Sequence, residues 1–348
     1  MATSVTAIYH ERARLKRHPY IRALFHAFAI LTCLTFLPDV SSAKIFKKNA
    51  SVMGTDLEVT ISTDDEAKAE AAFNAALSEM KRIEYEMSEW ADGTYVSEIN
   101  RNAGISPVKA PDELIKVVAA SMLVSGLSNG AFDVSWAALR GVWDFTSGKN
   151  EVPSPEEIKK RLPFINYRDI EIDEVDKTIF LKKKGMSIGL GGIAKGYAVD
   201  MAMKKITDYG IRDAIVKSGG DMRIQGTENG RPWEIGIRHP REREKLLAGL
   251  KLGNISISTS GDYERYFVKD GVLYHHIIDA RTGYPARGCR SVTILAPDTM
   301  TSDALSTAVF ILGPDEGMKL IKRLKGVEGI IVDGKGAIHY SPGMEVRR

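Results

Sequence analysis

The sequence predicts an α+β fold, one compact mature unit of mixed sheets flanked by helices. Strand-like and helix-like segments both occur, without the strict alternation that a parallel sheet with crossover helices would show. Over 348 residues, 44% hydrophobic and 27% charged residues describe an ordinary globular chain with ample core. No internal repeat and no low-complexity linker divides it.

The N-terminus stands apart. Arg12, Arg14, Lys16, Arg17 and Arg22 precede the apolar run Ala23 to Leu37, then Pro38 and the small residues Ser41 and Ala43. Basic, apolar, small is the order of a cleavable export signal over residues 1–43. An apolar run of about 15 residues is short for a bilayer span of about 20. The domain that remains is 44–348. Lys, Arg, Asp and Glu before residue 44 account for the whole net charge of +3, leaving 43 basic and 43 acidic residues. A neutral mature chain without a basic stripe argues against nucleic acid as a partner. It leaves the N-terminus as the one route to a membrane. Loss of Cys33 with the signal leaves Cys289 alone, so no intramolecular disulfide forms.

Along the mature chain, Leu57 to Ser62 alternates as a half-buried strand. Asp64 to Trp90 carries Ala72, Phe73, Ala76, Leu77, Met80, Ile83 and Met87 at helical spacing. A second helix starts near Pro111 and Asp112 and stops at Gly130. "PSPEEIKKRL" opens a short third, and "IEIDEVDKTIFLKK" reads as a hairpin. "GLGGIAKGYAVD", Gly189 to Asp200, is a glycine turn feeding a helix. "DAIVKSGGDMRIQG" is strand, turn, strand; "WEIGIRHP" and "NISISTSGDYERYFV" add strands. "SVTILAP" is a buried strand before a helix from about Ser302 to Leu312, and a hairpin closes the chain.

Four polar clusters carry chemistry. The glycine turn at 189–196 suits anion binding at a helix N-terminus, or simply close helix packing. It lacks the spacing of a dinucleotide or Walker loop. "SGGDMR" and "STSGDYERYF" place Gly-Asp turns at strand ends. Asp303 and Thr307, four apart, share a helix face and suit a hard cation completed by carbonyl and phosphate oxygens. The spacing also fits an acid favoured by the helix dipole. His275 and His276 lie in "HHIIDARTGYPA", and spacing alone leaves base, phosphate partner or strand histidine open.

These motifs in this order resemble the ApbE family, the FAD:protein FMN transferases. Eight blocks carry the resemblance: "MGTDLEVTI", "MSEWADGTYVSEINR", "GAFDVSWAALRGVW", "GGIAKGYAVD", "SGGDMRIQG", "TSGDYERYF", "HHIIDARTGYPA" and "SDALSTAVFILG". The resemblance implies a T-fold-like α+β core and Mg²⁺-dependent transfer of FMN from FAD to a Thr or Ser hydroxyl of an exported electron-transport protein, with release of AMP. It also admits FAD hydrolysis to FMN and AMP, or a periplasmic flavin-binding assembly factor without turnover. Met53 and Trp90 would line the flavin; Ala131, Phe132 and Asp133 the adenosine part; Gly191 and Tyr197 the diphosphate. Ile277 or Ile278 would pack on the cofactor. The Ala194 carbonyl, Asp303 and Thr307 would hold Mg²⁺. His276 would be the base, with Asp279 and Arg281 orienting its strand. Family members commonly have Asp where Gly189 stands, Pro where Ala280 stands, and a smaller residue where Trp136 stands. An exported, periplasmic protein, processed or held at the inner membrane, is expected.

Overall fold

The computed structural model describes residues 43–344 apart from Thr146 and Arg243. The signal segment 1–42 and Cys33 lie outside the described residues.

One antiparallel sheet organises the chain. Its strands are β1 (Lys44–Val52), β2 (Thr55–Thr63), β3 (Asp213–Ser218), β4 (Asp221–Gln225), β5 (Ile255–Gly261), β6 (Cys289–Ala296), β7 (Glu328–Asp333) and β8 (Ile338–Tyr340). Their order across the sheet is their order along the chain, and every neighbouring pair is antiparallel.

Period-two alternation gives the sheet two apolar faces. Val216, Val292, Ile294 and Ile331 join the main core, whereas Ile215, Ile224, Ile257, Leu295 and Ile330 join a second cluster on Trp233 and Ile237. The second cluster is covered by a separate hairpin of Trp233–Arg238 and Leu246–Leu252. The helices are α1 (Glu66–Glu86), α2 (Tyr95–Arg101), α3 (Asp112–Leu127), α4 (Pro155–Arg161), α5 (Ala194–Asp208) and α6 (Thr299–Arg323); all but α4 cover the main core, and α4 buries Ile158 in a small third cluster. α1 packs on α5, α5 on α6, and α6 on β5, β6 and β7. A left-handed Gly313 before Pro314 kinks α6 where the predicted helix ends.

Two expectations need correction. The first helix stops at Glu86, not Trp90. Ser88 Oγ accepts from Trp90 and Ala91 N–H, and Thr94 Oγ1 donates to the Ser88 carbonyl at 2.6 Å. These hydroxyls offer the backbone partners outside the helix, so Glu89 and Trp90 sit on a turn. Second, β1 and Leu246–Leu252 were not foreseen. β1 is an edge strand with five of its nine residues exposed, so it carries no alternating apolar signal. Among the described residues no helix is long and apolar enough to cross a membrane.

Candidate active site

The site begins where α5 meets α6. A Cβ on Gly196 would lie 2.3 Å from the Thr299 carbonyl oxygen and 2.7 Å from Asp303 Cβ, so only glycine permits the crossing. Each helix start is served by a carboxylate from the other helix. Gly196 N–H donates to Asp303 Oδ2 at 2.9 Å, while Thr299 and Met300 N–H donate to Asp200, each at 2.9 Å. These bonds satisfy N–H groups that no turn of their own helix can reach.

Among the described residues, only Gly196 N–H donates to the Asp303 carboxylate, through Oδ2. Thr307 lies one turn on, its Oγ1 3.2 Å from Ser260 Oγ. A Cβ on Gly192 would come within 3.8 Å of Thr307 Oγ1, so the turn that leads into Ala194 faces the same spot. Asp303 and Thr307, with the Ala194 carbonyl at the start of the facing helix, would offer a hard, all-oxygen donor set with one carboxylate. That fits Mg²⁺ completed by phosphate oxygens and not a zinc site. Among the described residues no three His, Cys, Asp or Glu side chains gather as a metal cluster.

β5 holds α6 in register through hydroxyls. Ser256 pairs with Thr299 at 2.8 Å, Ser258 with Ser302 at 2.7 Å and Ser260 with Ser306 at 2.7 Å. Alternate strand residues meet successive helix turns, each bond worth about 1 kcal/mol net. Thr307 is thereby placed by a sheet rather than by a loop.

The two histidines separate into two roles. His275 is buried, with Nε2 donating to the Ala286 carbonyl at 2.9 Å and Nδ1 accepting from Ile277 N–H at 3.2 Å. Both ring nitrogens are committed, and burial lowers its pKa. It is a strand histidine. His276 points the other way. Its Nδ1 lies 3.3 Å from the Arg265 carbonyl, which can only accept, so Nδ1 carries the proton and Nε2 keeps its lone pair. His276 is an exposed residue flanked by Arg265 and Lys195. Surrounding protein pushes its pKa down to about 4, aided by His275 and by the charges of Arg265 and Lys195.

Around His276 the glycine turns converge. Lys195 of "IAKG" forms an ion pair with buried Asp221 of "SGGD". A Cβ on Gly220 would meet the Thr259 carbonyl at 2.5 Å, and one on Gly54 would meet Arg265 at 3.6 Å. Met53 and Gly54 form the β1–β2 hairpin turn, both with positive φ. Glycine adopts that conformation freely. Met53, with φ 54°, does so at a cost of roughly 1–2 kcal/mol. Strain of this kind concentrates where a side chain must be aimed.

A family model described as the ApbE family matches residues 53–331. The chain belongs to the ApbE family. An FAD:protein FMN transferase of Treponema pallidum (strain Nichols) is 30% identical over 310 residues, spanning 84% of this chain and 86% of that protein. One from Klebsiella pneumoniae (strain 342) is 28% identical, spanning 88% and 95%. Among solved structures, the ApbE protein of Thermotoga maritima superposes with a TM-score of 0.79 at 36% identity, covering 86% of this chain and 97% of that one.

The remaining expected residues of this ApbE chain fall into distinct settings. Gly191 is exposed, with open space where a side chain would project. Trp90 is 73% exposed and lies 4.2 Å over the Arg140 guanidinium. Phe132 packs on Gly192, and the Ala131 carbonyl accepts from Ala280 N–H at 3.2 Å, tying "AFD" to the histidine strand. Asp133 is buried and spoken for: Ser135 and Tyr167 N–H donate to it, each at 2.8 Å. Tyr197 is also buried, its hydroxyl paired with Glu113. Ile277 joins the main core and Ile278 a small cluster with Leu139 and Ile158. Asp279 accepts from the Arg281 side chain at 2.9 and 2.7 Å, which braces the turn after the histidine strand. Sequence reasoning missed Lys195, Ser260, Arg265, Glu89 and Arg140. Lys195 and Asp221 had a usable signal, opposite charges in two glycine-rich motifs.

Proposed function

We propose that this chain transfers the FMN half of FAD to a Thr or Ser hydroxyl of a partner protein and releases AMP. The observation that carries the reading is His276: an exposed, neutral imidazole whose tautomer is fixed by a backbone carbonyl, close enough to Lys195 and Arg265 to feel their charges. The acceptor oxygen bonds to the FMN phosphorus as the bond from that phosphorus to the bridging oxygen breaks. AMP leaves with the bonding pair, and the hydroxyl proton passes to His276 Nε2. Lys195 and Arg265 draw the diphosphate in, and the glycine turn at 191–194 lets it approach the backbone. Mg²⁺ held by Ala194, Asp303 and Thr307 would neutralise charge on the phosphates. Met53 and Trp90 offer the flavin an apolar side chain and a stacking face.

The exposed His276 also favours a second reading, in which water replaces the acceptor and FAD is hydrolysed to FMN and AMP. The test incubates purified protein with FAD, Mg²⁺ and an acceptor domain bearing a candidate Thr. Flavin fluorescence that survives denaturing electrophoresis, together with AMP, supports the transferase. AMP with no labelled acceptor supports the hydrolase. FAD bound without AMP sinks both. The export-like N-terminus supports a periplasmic reaction, and the family resemblance supports exported electron-transport subunits as acceptors. A fractionation experiment that finds the protein in the cytoplasm would overturn that assignment.

A further inference from the structure

Gly189 and Glu89 are a hundred residues apart and occupy each other's space. A Cβ on Gly189 would lie 2.8 and 3.0 Å from the two carboxylate oxygens of Glu89, and 3.0 Å from Ala137 Cβ. No side chain fits at 189 while Glu89 is in place. The Glu89 side chain is 7% exposed. Its Oε2 accepts from Leu190 N–H at 3.0 Å, and its Oε1 lies 2.6 Å from Arg140 Nη2. Arg140 also donates to the Glu89 carbonyl at 3.2 Å and is covered by the Trp90 ring. Trp136 Nε1 donates to the Gly189 carbonyl at 3.1 Å, and Gly189 N–H donates to the Val134 carbonyl at 2.9 Å. The backbone just before Gly191 is therefore pinned on every side by groups from two remote segments.

We propose that Glu89 is a positioning residue: its buried carboxylate, delivered through the space that Gly189 leaves, fixes the turn that presents Gly191 to Ala194 to the FAD diphosphate. Arg140 neutralises it, so the carboxylate sits near a dianionic ligand without repelling it. Glu89 reaches the ligand only through Leu190 N–H and the turn. Trp136 does the same from the other side.

The inference rests on FAD being the ligand, and the test separates the two. FAD binding is measured by equilibrium fluorescence with Mg²⁺ withheld, alongside melting temperature. Wild type failing to bind FAD, also once Mg²⁺ is restored, would sink the functional reading. With wild type binding, Glu89→Ala weakens FAD by roughly tenfold, the size of one lost buried hydrogen bond. Glu89→Ala with Gly189→Asp regains most of that loss, because a carboxylate is restored from the turn itself. A purely structural role would lower the melting temperature without this rescue. Gly189→Ala is the second variant: its methyl expels Glu89 and weakens FAD similarly while leaving every proposed ligand in place. Wild-type affinity in Glu89→Ala or in Gly189→Ala, or a double variant no better than Glu89→Ala, overturns the proposal.

Discussion

His275 and His276 look alike in sequence and differ in everything that matters for chemistry. His276→Ala is expected to cut acceptor labelling by about 10²–10⁴-fold, the range for losing a general base, with little change in melting temperature. His275→Ala strands the Ala286 carbonyl and the Ile277 N–H, and should cost about 1–3 kcal/mol of stability. Acid acts on both rings. Their folded pKa values lie below the ordinary one, His276 at about 4. The unfolded chain therefore takes up protons first, and stability present above about pH 6.5 is lost as pH falls toward 4. Melting curves across that window check the sign, and a His275→Ala variant should show a flatter dependence. Bound phosphates should raise the His276 value, so the acid limb of kcat is expected at higher pH than that of kcat/KM. At this scale spacing reached the histidine pair and only the family resemblance singled out His276, because the atoms that tell the two rings apart are two carbonyls, Arg265 and Ala286, that no spacing reveals.

The element that matters most is the crossing of α5 and α6. Gly196→Ala forces a methyl against the Thr299 carbonyl, and overpacking of this kind costs about 1–3 kcal/mol. It should also pull Asp303 from Gly196 N–H. The expected outcome is a lower melting temperature together with a raised Mg²⁺ requirement for AMP release. Asp200→Ala removes the acceptor of Thr299 and Met300 N–H at the start of α6, leaves Asp298 capping Thr301 N–H, and should cost about 1 kcal/mol. The helices themselves were legible, since apolar periodicity and caps are local. Asp303 and Thr307 were legible as a pair four residues apart. The contact of Gly196 with Asp303 spans 107 residues, and the serines of β5 read as a polar strand face until their helix partners are in place. Only tertiary packing makes such groups a site.

The whole molecule offers a reporter of its own integrity. Cys289 opens β6 within the sheet, buried, with its thiol pKa pushed up to about 12 by burial and by Asp333 and Asp262. Protein lacking residues 1–43 should resist a thiol reagent until it unfolds globally, then react at one site. Early modification would show that β6 opens locally. The α+β class was legible from the mixture of elements. The neighbour order was not, because antiparallel pairing leaves no mark in composition.

β2 and β3 are hydrogen-bonded neighbours, yet the 149 residues from 64 to 212 separate them. That insertion carries Trp90, "AFD" and the whole glycine turn, together with Gly189, Glu89 and Trp136. His276, Asp303 and Thr307 lie beyond it. The two stretches are nevertheless locked together, since α5 brings Gly196 N–H to Asp303 and Asp200 to the start of α6. Cofactor grip and chemistry therefore share one joint, and a change made on either side of it is felt on the other.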